Sequence, residues 1–150
     1  MSDARMMGSW VLALFLAAMF LWIADQSLFP GEGQNIVFPM LAEKSEYYLF
    51  EPTGRLAVGL LEVLAAVLIF IPWTRRLGAG LGLLIAGGAL AAQFVWIGMA
   101  LPTPDGKTDG GGLFYLTVAL LVASLVLLVI HPGNSGSGAK ANGPHKYYRV

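Results

Sequence analysis

Four long apolar runs constrain the fold of this chain more than any other feature. They cover about residues 9–29, 54–72, 77–100 and 113–130. A helix needs about 20 residues to cross a bilayer, and each run has about 18 to 24. Backbone groups inside lipid must be satisfied within the protein, and runs of this length exclude barrel strands. The sequence therefore predicts an all-α fold, a four-transmembrane-helix antiparallel bundle.

The composition supports a membrane protein and excludes several classes of site. Only 12% of the residues are charged and 57% are hydrophobic, whereas soluble domains carry about a quarter charged residues. The formal net charge is zero, so no nucleic-acid partner is indicated. The chain has no cysteine, which excludes disulfides, thiolate zinc sites and iron–sulfur clusters. His131 and His145 lie outside the apolar runs, so neither an intramembrane bis-histidine haem nor another metal site is predicted.

The runs form one transmembrane domain over residues 1–132, followed by a flexible tail over 133–150. The first run is about twice as long as the apolar region of a signal peptide, so we interpret it as a retained span. A proline follows each run and ends the helix. These are Pro30, Pro72, Pro102 and Pro132.

The distribution of basic residues predicts the orientation in the membrane. Six lie on one side and three on the other, which favours both termini in the cytoplasm of a multi-pass inner-membrane protein. The first side carries Arg5, Arg75, Arg76, Lys140, Lys146 and Arg149, and the second carries Lys44, Arg55 and Lys107. The lipid bilayer is thus the first expected partner.

The long loop between the first two spans contains a possible short interfacial helix. Phe38, Leu41, Tyr48 and Leu49 can form its apolar face, with Glu43, Lys44 and Glu46 in water. An irregular loop is the alternative.

Glu62 is the leading candidate for a functional residue, because it lies in the middle of the second apolar run. A carboxylate at such a depth is costly unless it faces a bundle interior or a wet cavity. The other polar groups also fall in the outer half, so the sequence predicts a pocket opening outward. The candidate ligand-binding or proton-exchanging residues are Glu62, Asp25, Gln26, Gln93, Arg55 and Tyr115, with Thr117 nearby. The inner half is predicted to be aliphatic apart from Ser124.

Three interpretations of Glu62 stay open. It can be a protonated acid that bonds Gln93 or a backbone carbonyl for structural reasons. It can exchange protons or hold a quinone-like or other small amphipathic ligand. It can also be an accident of packing. Arg55 lies on the same face two turns shallower, where it can pair with Asp25 or Glu51.

Small residues recur at helical spacing in the third run. Such a face lets helix backbones approach closely in lipid, either within the monomer or in a homodimer. The residues are Gly78, Gly82, Ala86, Gly88 and Ala92. His131, at the end of the fourth run, is expected to cap that helix.

The stretch GRLAVGLLEVLAAVLIFIPWTRRLGAGLGLLIAGGALAAQF resembles the core of the DoxX-like family. The matching features are Gly59 before Glu62, the arginine loop at 74–77, and a third span rich in small residues from Gly78 to Gln93. The resemblance covers about 10–130. It implies a bacterial inner-membrane four-helix protein, of a family named for small subunits of terminal oxidase and thiosulfate:quinone oxidoreductase systems.

The resemblance leads to a functional expectation. The chain is expected to act as a small subunit or accessory partner of a quinone-linked membrane oxidoreductase complex, with a quinone near Glu62 and no intrinsic cofactor. Its own redox-active groups are tyrosine and tryptophan, so electron transfer needs a bound quinone or a partner. The alternatives are a non-catalytic scaffold or assembly factor and a small proton-coupled transporter.

Overall fold

The computed structural model describes residues 3–31, 36–103 and 105–131. Four of its helices are long and apolar enough to cross a membrane. The helices are α1 (Asp3–Leu28), α2 (Val37–Ser45), α3 (Thr53–Phe70), α4 (Arg75–Ala92) and α5 (Gly112–Ile130). A π-helical segment, Gln93–Ile97, prolongs α4. The predicted all-α bundle with four spans is confirmed, and the predicted tail over 133–150 lies outside the described residues.

The four long helices form a ring. α1 packs mainly against α3, α3 against α4, and α4 against α5, while α5 closes the ring with a lighter contact to α1. The start of α1 and the end of α5 lie at the same end of the bundle, because Ser9 bonds His131 there. We call this end, which also holds the turn between α3 and α4, the Arg75 end. The other end, with α2 and the loop between α4 and α5, is the Glu51 end.

The core is built from small residues around a few large ones. Alanines line the helix interfaces, and Leu16, Phe20, Ile69 and Leu127 fill the space between them. Much of the outer surface is large and apolar, with Leu60, Leu84 and Val129 among its exposed residues. This surface needs hydrocarbon around it, which fits a multi-pass membrane protein.

α4 differs from the predicted third span at both ends. It begins at Arg75, two residues before the apolar run, because the Arg75 side chain is buried in the bundle. The helical segment stops at Ile97 rather than at residue 100, since Gly98 has a φ of 91°, a conformation that ends a helix. Gln93 therefore lies about 6 Å from the end of the helix, shallower than the sequence indicates.

The predicted short helix after the first span is confirmed as α2. Leu41 packs with Ile97 and Leu101, so α2 covers the π-helical segment at the Glu51 end. The placement of Tyr48 and Leu49 on its apolar face is wrong. Glu46 adopts the left-handed conformation, which ends α2 before them and leaves both side chains exposed.

Candidate functional site

Glu62 lies in the interface between α1 and α3, about 14 Å from the start of α3. Its side chain is only 4% exposed. The Ser27 hydroxyl, near the end of α1, interacts with its carboxyl group. The other carboxyl oxygen, Oε2, is buried and has no partner among the described residues. A carboxyl group in the hydrocarbon region thus keeps one free hydrogen-bonding position.

Gly59 permits this close approach of α1 and α3. A Cβ atom at Gly59 would come within 2.9 Å of the Leu28 side chain and 3.1 Å of Ser27 Cβ. Any larger residue would push the end of α1 away and separate Ser27 from Glu62. The sequence pattern of a glycine before a glutamate therefore has a physical reason in this chain.

Arg55 lies between Glu62 and the Glu51 end of the bundle, two turns before Glu62 on α3. Its Nε donates to both carboxylate oxygens of Glu51, at 2.9 and 3.0 Å, and its Nη1 donates to the backbone carbonyl of Ser27. Of the two partners that the sequence suggests for Arg55, the structure has Glu51. Ser27 is thereby held by two groups of α3, its carbonyl by Arg55 and its hydroxyl by Glu62.

Gln93 belongs to a second polar group in the interface between α4 and α5. Its Nε2 donates to Thr117 Oγ1 at 3.0 Å, and the Thr117 hydroxyl donates to the Leu113 carbonyl at 2.8 Å. Gln93 Oε1 is buried without a partner among the described residues. The structure has no hydrogen bond between Glu62 and Gln93 among the described residues. Gln93 Nε2 donates to Thr117, Glu62 interacts with Ser27, and Glu62 Oε2 and Gln93 Oε1 both lack a partner. Gln93 also begins the π-helical segment, a distortion that is frequent at functional sites.

The remaining candidates do not join Glu62. Asp25 lies on the exposed side of α1, since residue 27 and not residue 25 faces α3. Gln26 is half-buried and has interactions of its own. The Tyr115 side chain is 69% exposed and packs edge-on against Phe114. The sequence groups these residues by depth, but depth does not give the direction of a side chain around its helix.

Of the small residues in α4, only some pack inside the bundle. Gly78 lies against the backbone of α3 at Ile69, Gly82 lies against Phe20 and Ser124, and Ala86 is buried. Gly88 is exposed, with nothing within 4 Å of a Cβ built on it, and Ala92 packs beneath α2. These contacts lie within one chain, so a homodimer through the small-residue face of α4 stays a prediction.

The expectation of an aliphatic inner half is wrong, because a polar cluster fills the Arg75 end. Arg75 Nε donates to the Ile69 carbonyl at 2.9 Å and its Nη1 donates to Ser9 Oγ at 3.2 Å. The His131 ring bonds Ser9 through Nδ1 at 3.1 Å and the Pro72 carbonyl through Nε2 at 3.0 Å. The His131 backbone N–H makes the last bond of α5, to the Leu127 carbonyl, while its ring bonds Ser9 and Pro72; the expected cap by its side chain stays a prediction. Sequence reasoning missed this cluster. The signal was Ser9 at the start of the first apolar run, together with Arg75 and Arg76 just before the third.

One cavity that the described residues form is apolar, and Glu62 is not among its lining residues. It is a groove between α1 and α3 with a volume of about 320 Å³, open to the lipid side. The predicted outward polar pocket is therefore not this groove. The lining residues are Ala17, Leu21, Ala66, Val67, Phe70 and Ile71.

Two buried oxygens set what the site can do chemically. Glu62 Oε2 and Gln93 Oε1 lack donors within the described part of the chain, and a buried polar atom without a partner is rare and unfavourable. A hydroxyl group of a small molecule can donate to either oxygen, whereas a carbonyl group can only accept from Glu62 in its protonated form. Among the described residues there is no group of three metal-ligating side chains.

Comparison with known proteins adds no family and no relative to this geometry. No family model, no curated protein and no solved structure matches the chain.

Proposed function

We propose that the chain is a small subunit or accessory partner of a quinone-linked membrane oxidoreductase, and that it holds a quinone-like ligand at Glu62. The observation that carries this proposal is the free Oε2 atom of a carboxyl group buried between two membrane-spanning helices. Such a group is expensive to keep in hydrocarbon, and intramembrane acids mark ligand or proton pathways by default.

The surroundings of Glu62 suit a ligand with an apolar body and one polar end. The residues beside Glu62 on α3 are aliphatic, and the ion pair of Arg55 with Glu51 provides polar groups two turns closer to the membrane surface. A quinone has a hydrophobic tail and two oxygens, which accept as carbonyls and donate as hydroxyls. When bound, it would supply electron-carrying chemistry beyond that of the tyrosine and tryptophan side chains. Glu62 would hold one of its oxygens, and Ser27 would orient the carboxyl group.

Binding of a short-chain quinone tests the proposal directly. The protein in lipid nanodiscs would be titrated with decylubiquinone and with decylubiquinol, and the bound fraction measured by equilibrium dialysis. We expect saturable binding by the wild type. In Glu62→Gln it should weaken about tenfold or more, as expected for loss of a bond to a carboxyl group. Glu43→Gln, which changes an exposed glutamate of α2, is the matched control and should bind like the wild type.

The outcomes separate the three functional classes. Absence of saturable binding, or equal binding by Glu62→Gln and the wild type, would refute the quinone site. If Glu62→Gln instead abolishes co-purification of a partner complex from native membranes, the scaffold alternative gains support. Loss of pH-dependent uptake into vesicles in Glu62→Gln would favour the transporter.

A further inference from the structure

The Arg75 guanidinium is a buried positive charge without a negative partner among the described residues. Its side chain is 1% exposed. Two of its nitrogens bond neutral oxygens, from Ile69 and Ser9, and the third, Nη2, has no partner in the described part of the chain. The two ion pairs in that part join Arg55 to Glu51 and Lys107 to Asp105, both at the other end of the bundle. Burial of an uncompensated charge is unfavourable. A bound anion at Arg75 would therefore stabilise the folded protein.

The charges and dipoles around Arg75 add to the positive potential. Arg76 follows it and is exposed, and both arginines act on His131. α4 begins at Arg75, so the positive end of the helix dipole and the free N–H groups of the first turn lie at the same place. The indole ring of Trp10 lies over the guanidinium, 4.1 Å from its centre. An anion reaching Nη2 would displace this ring, which is partly exposed and borders the lipid.

The apolar groove continues from this cluster along the same helix interface. On α1, Ala17 lies two turns beyond Trp10 and therefore on the same side of the helix, about 10 Å further along its axis. At the end of α3, Phe70 and the residue after the helix, Ile71, line the groove and follow Ile69 in the chain, whose carbonyl accepts from Arg75. The groove presents no polar surface. The Arg75 guanidinium and the apolar groove thus follow one another along the interface between α1 and α3. The headgroup and one acyl chain of a lipid have the same arrangement.

We propose that the Arg75 end binds one anionic phospholipid, with its phosphate on Arg75 and one acyl chain in the groove between α1 and α3. The guanidinium suits a phosphate because its fork of N–H groups matches the oxygens. The phosphate supplies the missing negative charge and the partner for Nη2. The acyl chain covers the apolar walls formed by Ala66, Val67 and Phe70. This site is independent of the ligand proposed at Glu62.

Native mass spectrometry of the detergent-purified protein can test the phosphate site at Arg75 and the acyl-chain site in the groove separately. The probes are dioleoyl phosphatidylglycerol, dioleoyl phosphatidylcholine with the same chains, and glycerol 3-phosphate, which has the phosphate without chains. We expect one phosphatidylglycerol per protein, bound on the order of tenfold more tightly than phosphatidylcholine, and no retention of glycerol 3-phosphate. Arg75→Lys keeps the charge but loses the fork of N–H groups, so it should reduce the preference for phosphatidylglycerol, whereas Arg76→Lys, the exposed neighbour, should keep it.

A groove variant keeps the test valid if Arg75→Lys fails to fold. Val67→Trp fills the groove from a partly exposed position and should weaken binding of both lipids about fivefold or more. Val129→Trp, the same change on an exposed position of α5, should leave binding unchanged. Equal affinity of the wild type for the two lipids, or tight retention of glycerol 3-phosphate, would overturn the lipid site. So would insensitivity to both Arg75→Lys and Val67→Trp.

Discussion

His131 joins three parts of the chain, because it follows α5 and its ring bonds Ser9 of α1 and Pro72 after α3. Nε2–H can donate to the Pro72 carbonyl while Nδ1 accepts from the Ser9 hydroxyl. A protonated ring has two donors and no acceptor, so Ser9 Oγ can no longer donate to it and has to accept from Nδ1 as well as from Arg75. Burial of the ring lowers the pKa of His131, and the positive charges of Arg75 and Arg76 lower it further, against the effect of the bond to Pro72.

This arrangement predicts that the protein loses stability in mild acid. Because the folded pKa of His131 lies below its unfolded value of 6.5, the stabilisation is complete above pH 6.5 and is lost as the pH falls through the folded pKa. Thermal unfolding of the detergent-solubilised protein between pH 8 and pH 5 would measure this. In His131→Gln the decline should be flatter. An identical decline in both proteins would contradict the role of His131.

Asp109 organises the loop before α5, and its replacement should destabilise that end of the bundle. Its carboxylate accepts from the backbone N–H groups of Leu101, Gly111 and Leu113, at 2.8, 2.9 and 3.0 Å. These bonds, foremost that from Leu113, lower the pKa of Asp109, so its stabilisation persists at neutral pH and is lost only as the pH falls below about 4. We expect Asp109→Asn to lose about 1 kcal/mol of unfolding free energy, measured by denaturant unfolding. The exposed Asp105→Asn should change little.

At the scale of helices, two glycines of α4 form a matched pair. A Cβ at Gly78 would lie 2.5 Å from the backbone nitrogen of Ile69, which cannot move without shifting α3, whereas a Cβ at Gly80 meets nothing within 4 Å. We expect Gly78→Ala to destabilise the protein by about 1 to 3 kcal/mol, as overpacking does. Gly80→Ala should be neutral or slightly stabilising, because alanine favours the helix. Equal melting temperatures for the two variants would show that α3 and α4 are not this close.

The helices themselves were largely predictable from the sequence, since apolar length alone defines a membrane span. Their ends were less so. The start of α4 was missed because an arginine beside an apolar run normally belongs to a loop, and only the bonds from Arg75 to Ile69 and Ser9 explain why it lies inside the bundle. The end of α2 was missed because the left-handed backbone of Glu46 has no sequence signal.

The candidate site was predictable in part. The sequence identifies Glu62 by its depth and Gly59 by the family resemblance, and the structure adds Ser27 and the close packing at Gly59. The sequence groups Asp25 and Tyr115 with Glu62 because all three fall in the outer half of the predicted spans, but the side chains of Asp25 and Tyr115 lie on exposed faces. The rotation of one helix against another decides which residues meet, and apolar runs without a strong amphipathic pattern do not encode it.

For the whole molecule, the structure predicts which positions share a side of the membrane. Because the chain has no cysteine, single cysteines can be introduced and labelled in intact cells with an impermeant maleimide. Arg5→Cys and Trp73→Cys, at the Arg75 end, should behave alike, and Tyr48→Cys and Lys107→Cys, at the Glu51 end, should behave in the opposite way. The predicted orientation, with both termini in the cytoplasm, requires that the second pair is the labelled one. Labelling of one member of a pair without the other would contradict the four-span arrangement.

The central proposal is that the buried Glu62 carboxyl group, between two membrane-spanning helices, binds a quinone-like ligand through Oε2, and photolabelling tests it most directly. A photoreactive azidoquinone would be crosslinked to the protein in native membranes and the adducts mapped by peptide mass spectrometry. We expect adducts at the end of α1 around Ser27 and on α3 between Arg55 and Glu62, with strong reduction in Glu62→Gln and none in Glu43→Gln. Adducts confined to other helices, or equal labelling of Glu62→Gln and the wild type, would contradict the claim.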